Sequence, residues 1–159
     1  MKTLGVLTLL LPAIAICFAL STARAVEAQA DKLPEAPGKA TVVAVCTSCH
    51  GSEVMTDAPR TVAGWVDVMF LMKDFGAMAT EAEWKTVTDY VVANLALLEV
   101  NKAEAAHMQL VFGLGEAAAK DVIAYRDKQG GFKTIDDLKN APGVDAAKID
   151  ALKERLLFR

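Results

Sequence analysis

With 159 residues, 53% of them hydrophobic, the chain has enough apolar matter for one medium core or two small ones, which excludes a disordered polymer. Its formal net charge of −3 divides unevenly: residues 26–100 hold five Lys/Arg against eleven Asp/Glu, and residues 101–159 hold ten against nine. Neither part has the basic excess on which electrostatic capture of nucleic acid ordinarily relies, so charge alone makes DNA an unlikely partner.

The chain opens with Lys2, an uncharged stretch from Thr3 to Leu20 and the small-residue sequence Ala23-Arg24-Ala25, the grammar of a signal peptide over residues 1–25. The apolar run is short for a bilayer and broken by Pro12, so no membrane span is expected after cleavage, and the mature chain is expected in the periplasm. Cys17 follows the bulky Ile16 and reads as apolar filler removed with the peptide. Residues 26–37, with Pro34 and Pro37, read as an extended leader.

Gly38 opens the first organised segment, residues 38–100. A short helix over residues 39–47 is expected to run into Cys46-Thr47-Ser48-Cys49-His50. A loop through Arg60 leads to the apolar run Trp65 to Phe75. Thr80 and Glu83 form a capping-box pattern that starts a helix, in which Trp84, Val87, Val91, Leu95 and Leu98 make one apolar face. Past Leu98 a repeat appears at 30-residue spacing, Gly113-Leu114 and Gly143-Val144, each a glycine turn opening a helix. Residues 101–159 therefore read as a second helical unit. No strand-like alternation of useful length occurs, and the fold class is all-α.

The Cys-x-x-Cys-His run carries the most chemistry. Two thiols three positions apart can each add across a vinyl group of one haem, and the adjacent imidazole becomes the iron's proximal ligand. A redox-active disulfide would use the same spacing, but normally at a strand-to-helix turn that this chain lacks. Structural zinc would have only Cys46, Cys49, His50 and the distant His107 to draw on. For a sixth iron ligand the thioethers are Met55, Met69, Met72 and Met78; on a helix Met69 and Met72 share nearly one face, so periodicity does not separate them. Arg60 has the guanidinium to pair with a haem propionate and equally the context of a solvated loop arginine. Trp65 is expected to pack on a porphyrin or in the core, Trp84 in the core.

With these residues in view, residues 38 to about 98 resemble a class I cytochrome c domain: Gly38 eight residues before the first haem cysteine, Cys46-x-x-Cys49-His50-Gly51, and a closing helix with Tyr90-Val91. More narrowly, Arg60, Trp65, Met72 and Gly76-Ala77 resemble the small haem subunits of periplasmic dehydrogenases. The resemblance implies one covalently attached haem c with Met72 as distal ligand, a non-enzymatic electron carrier, and redox protein partners such as a periplasmic dehydrogenase. It also implies that the first and last helices cross near Gly38 and Tyr90.

Residues from about 101 onward resemble the helix-hairpin-helix modules of exported competence DNA receptors, through Gly113-Leu114-Gly115, Ala124-Tyr125-Arg126, Gly131-Phe132, Asp136-Asp137-Leu138 and Pro142-Gly143-Val144. Such hairpins offer backbone N–H groups to phosphate at a helix N-terminus. Here Glu116 and Asp145 place carboxylates beside the two hairpins. The expectation is therefore an exported monohaem electron carrier whose second unit docks protein. The alternatives are an exported DNA-binding hairpin protein that carries haem, and a dehydrogenase haem subunit.

Overall fold

The computed structural model describes residues 32–159, and the signal-peptide reading of residues 1–25 lies outside them. The described part is mostly helical. Among the described residues no helix is long and apolar enough to cross a membrane.

Helix α1 (Lys39–Cys46) starts after Gly38, whose φ of +93° favours glycine. A Cβ at Gly38 would approach Thr86 Cγ2 to 3.1 Å and Tyr90 Cβ to 3.4 Å, so glycine lets α1 cross the later helix closely. Residues 32–37 are not a free leader. Leu33 is buried in the core, and the Tyr90 hydroxyl donates to the Pro34 carbonyl at 2.6 Å, which holds the segment down. A single turn, α2 (Glu53–Thr56), leads to α3 (Val62–Asp74), where Thr61 Oγ1 accepts from the Gly64 N–H at 3.2 Å.

Helix α4 (Glu81–Asn94) begins at the expected capping box: Thr80 Oγ1 accepts from the Glu83 N–H, and the Glu83 carboxylate accepts from the Thr80 N–H at 2.7 Å. The apolar face expected to run on to Leu98 stops sooner. The Leu95 and Ala96 N–H groups both return to the Val91 carbonyl, Leu97 N–H turns to the Arg60 carbonyl at 2.8 Å, and Leu98 enters a strand.

The C-terminal part has α5 (Ala105–Phe112), α6 (Glu116–Gln129), α7 (Ile135–Lys139) and α8 (Ala146–Leu152), then one 3₁₀ turn, Lys153–Arg155. Strand β1 (Leu98–Glu99) pairs in parallel with β2 (Leu156–Leu157). These strands were not legible in the sequence, because a two-residue pairing is made by tertiary packing and leaves no periodicity. Asn101 braces the turn after α6: its amide nitrogen donates to the Phe132 carbonyl at 2.8 Å, and its oxygen accepts from the Phe132 N–H at 2.7 Å.

Two apolar clusters result. One gathers Val42, Val45, Met55, Trp65, Val87 and Tyr90 between α1, α3 and α4. The other gathers Val100, Met108, Val122, Phe132, Leu138 and Ile149 among the C-terminal helices. Helix α4 belongs to both, since Val91 lies in the first cluster and Val92 in the second.

Candidate functional sites: an apolar cavity and a pair of glycine hairpins

The first cluster borders a partly open cavity of about 520 Å³, and Cys46, Cys49, His50, Arg60, Trp65, Met69 and Met72 all line it. The C-terminal end of α1 sets Cys46 at the wall, and the turn after it carries Cys49 and His50. Helix α3 presents Trp65, Met69 and Met72 on one side, as a spacing of three to four residues on a helix requires. The wall is predominantly apolar and is completed from α4 by Trp84, Val87 and Val91.

Individual groups in the wall are oriented. The His50 Nδ1–H donates to the Gly51 carbonyl at 3.0 Å, which leaves Nε2 with its lone pair. Met69 sulfur lies 3.3 Å from the Thr88 hydroxyl, whose shorter bond, 2.8 Å, goes to the Trp84 carbonyl. Met78, the other methionine considered for the iron, is 90% exposed and does not line the cavity. Arg60 donates to the Ala58 carbonyl at 2.8 Å, with its guanidinium carbon 5.7 Å from the centre of the Trp65 ring. Lys73 Nζ stands 4.8 Å over Trp84. His107 lies in the first turn of α5, where its Nδ1 accepts from the Glu104 N–H at 3.4 Å. Among the described residues no group of three or more His, Cys, Asp or Glu side chains is placed to hold a metal ion.

Burial pushes the Cys46 thiol up to about 11. A redox-active Cys-x-x-Cys pair needs a thiolate-stabilising environment, so this wall does the opposite of what dithiol exchange requires. At pH 8 the thiolate fraction of Cys46 is on the order of a hundredfold below that of a thiol at its ordinary value. In protein made without haem attachment, iodoacetamide at pH 8 should therefore label the exposed Cys49 long before Cys46, and mass spectrometry of the two modified peptides reads the order. Equal labelling rates would contradict the buried setting of Cys46.

Trp65 bears on what the cavity is shaped to hold. It is 3% exposed, and its indole Nε1 is buried with no hydrogen-bond partner among the described residues. Such a donor incurs a desolvation cost of about 1–3 kcal/mol unless something accepts from it. Two thiols, an imidazole with a free nitrogen, thioethers, an apolar space and a buried donor beside a guanidinium form a donor set whose chemistry fits haem and its carboxylates.

The second site lies on the C-terminal helices. Gly113, at φ +68°, ends α5, and Gly115 is the N-cap of α6 without any side-chain cap, so among the described residues the first N–H groups of α6 have no side-chain capping partner. Lys148, from α8, reaches this hairpin: a Cβ on Gly113 would come within 2.9 Å of its Nζ. Glu116 is drawn back along the helix into an ion pair with Lys120 at 2.6 Å. The second hairpin differs. Asp145 Oδ1 accepts from the N–H groups of Ala147 at 2.9 Å and Lys148 at 3.4 Å, so the chain's own carboxylate occupies those donors.

Residues 93–157 match the family model described as helix-hairpin-helix motif, and the C-terminal part of the chain is such a module. ComE operon protein 1 of Bacillus subtilis (strain 168) is 31% identical over 64 residues, which is 40% of this chain and 31% of that protein. Endonuclease/exonuclease/phosphatase family domain-containing protein 1 is 33% identical over 63 residues in Danio rerio and 32% over 63 in Homo sapiens, covering 12% and 11% of those proteins and 40% of this chain. The chain thus spans no more than about a third of the length of these relatives. No solved structure matches it.

The match corrects the functional expectation. Reading the chain as a c-type electron carrier, with redox partners, a docking module and DNA an unlikely partner, put the deciding weight on residues 46–50 and on summed charge. The match instead falls on the hairpins, and no comparison supports cytochrome c, haem, iron or electron transfer. Summed charge averages over the module and hides where its charges stand: Glu116 pairs with Lys120, and Lys148 from a distant helix stands at the first glycine turn. Sequence reading missed Lys148 for that reason, and only the 30-residue repeat hinted that α8 would pack beside the first hairpin.

Proposed function

We propose that the chain is an exported helix-hairpin-helix protein that holds the sugar-phosphate backbone of DNA through residues 93–157 and carries a covalently attached haem in its N-terminal cavity. The observation that carries the reading is the family match over the two glycine hairpins. Uncapped N–H groups at the start of α6, with the Lys148 ammonium over Gly113, suit a phosphate oxygen by hydrogen bonding and by charge. Such contacts read the backbone and carry no base information, so the binding is independent of sequence. The signal-peptide grammar of residues 1–25 supports export to the periplasm.

In the cavity, Cys46 and Cys49 would hold the haem through their sulfurs, His50 and Met72 would be the residues that bind its iron, and Trp65 and Arg60 would be donors for its carboxylates. When bound, the haem supplies a reducible iron. The residues themselves line the pocket with mostly apolar surface and fix the imidazole through the Gly51 carbonyl.

Titration of the mature full-length protein with a labelled duplex tests the DNA-binding reading. With one or two phosphates contacted, the affinity should be modest and fall with salt at a log–log slope of about −1 to −2, alike for unrelated sequences. No binding at low salt, or binding indifferent to salt, overturns it.

A further inference from the structure

The two apolar clusters share structure at three places. Helix α4 supplies Val87 and Val91 to the cavity wall and Val92 to the other cluster. Val62, in the first turn of α3, packs against both clusters. Just before it, Arg60 lines the cavity with its side chain while its carbonyl accepts from Leu97 N–H, and Thr61 and Leu97 form a parallel bridge.

Arg155 closes the seam from the far end of the chain. Its Nε and Nη2 donate to the Ala96 carbonyl at 3.0 and 2.9 Å, Nη1 to Ala93 at 2.9 Å, and Nη2 to Val92 at 3.0 Å. The last-turn carbonyls of α4, which a helix leaves without intrahelical donors, are thus satisfied by a side chain of the hairpin module.

From this seam we infer that occupancy of the N-terminal cavity controls the stability of the hairpin module: filling the cavity locks α4, and α4 passes the gain to residues 98–157 through Arg155 and the Arg60–Leu97 link. The inference rests on the cavity accepting haem, but it does not depend on what the module binds. A ligand seated against Trp84, Val87 and Val91 would add contacts to α4 that the folded chain alone can offer. A ligand that binds only the folded chain raises its stability, and residues that unfold together share the gain. By reciprocity, anything that steadies the module favours a closed cavity.

Hydrogen exchange read by mass spectrometry tests this on the full chain in two forms, matured with haem and bearing Cys46→Ala with Cys49→Ala so that none attaches. Absorption spectra first establish loading. In the loaded form, peptides covering α5 and α6 should exchange at least about tenfold more slowly than in the unloaded form. In loaded Arg155→Gln protein that gain should largely disappear from α5 and α6 while α1 and α3 stay protected. Haem that attaches without slowing exchange in α5 and α6 overturns the coupling alone, as does an Arg155→Gln chain that keeps the full gain. Failure of haem to attach to the unaltered chain overturns the cavity reading and this inference with it, and leaves the DNA-binding reading standing.

Discussion

Gly115→Asp is expected to weaken duplex binding by about ten- to a hundredfold while making the module slightly more stable. The new carboxylate would cap α6 as Asp145 already caps α8, accepting from the N–H groups that a phosphate would otherwise take. Glycine is already a tolerated N-cap, so the gain in stability is a few tenths of a kcal/mol. The loss in binding is larger because hydrogen bonds to a charged acceptor, worth about 1.5–3 kcal/mol each, are replaced by repulsion between two anions. Opposite signs for stability and binding separate this effect from damage to the fold. Asp145→Asn, which keeps a capping oxygen and removes a charge beside the second hairpin, should tighten binding by about threefold or less. Fluorescence anisotropy with a labelled duplex, alongside thermal unfolding of each variant, reads both quantities. A Gly115→Asp protein that binds DNA as well as the unaltered chain would place the contact away from the first hairpin.

The largest all-or-none effect is expected at the cavity. Protein matured in a c-type haem attachment system should retain haem through acidic organic extraction and stain for it on a denaturing gel, and Cys46→Ala with Cys49→Ala should lose that stain entirely. Among the thioethers lining the cavity, Met72→Ala should abolish the weak far-red thioether-to-ferric band, whereas Met69→Ala and Met55→Ala should keep it. Met78→Ala should change nothing, because that side chain lies at the surface. Haem that washes out of correctly matured protein would reject the thioether bonds, and loss of the band in Met69→Ala alone would move the ligand one turn back along α3.

The sequence by itself determined the local features. Thr80 and Glu83 specify the start of α4 because a capping box is closed within four residues, and Gly113 and Gly143 specify their turns because each backbone needs a positive φ. It brought Cys46, Cys49 and His50 together by adjacency, and the spacing of Trp65, Met69 and Met72 placed them on one side of α3. The tertiary structure alone decided everything that joins residues far apart in the chain. Leu98 left the expected helical face to pair with Leu156, and Arg155 found the carbonyls of Val92, Ala93 and Ala96. It also decided which charges matter: Lys148 came to Gly113, Asp145 turned inward onto its own helix, and Glu116 was drawn off by Lys120. Local signals survive in sequence because backbone geometry and short loops enforce them within a few residues, whereas contacts between α4, α8 and the final strand depend on packing that no periodicity encodes. A summed charge near zero therefore concealed a cation standing over a glycine hairpin.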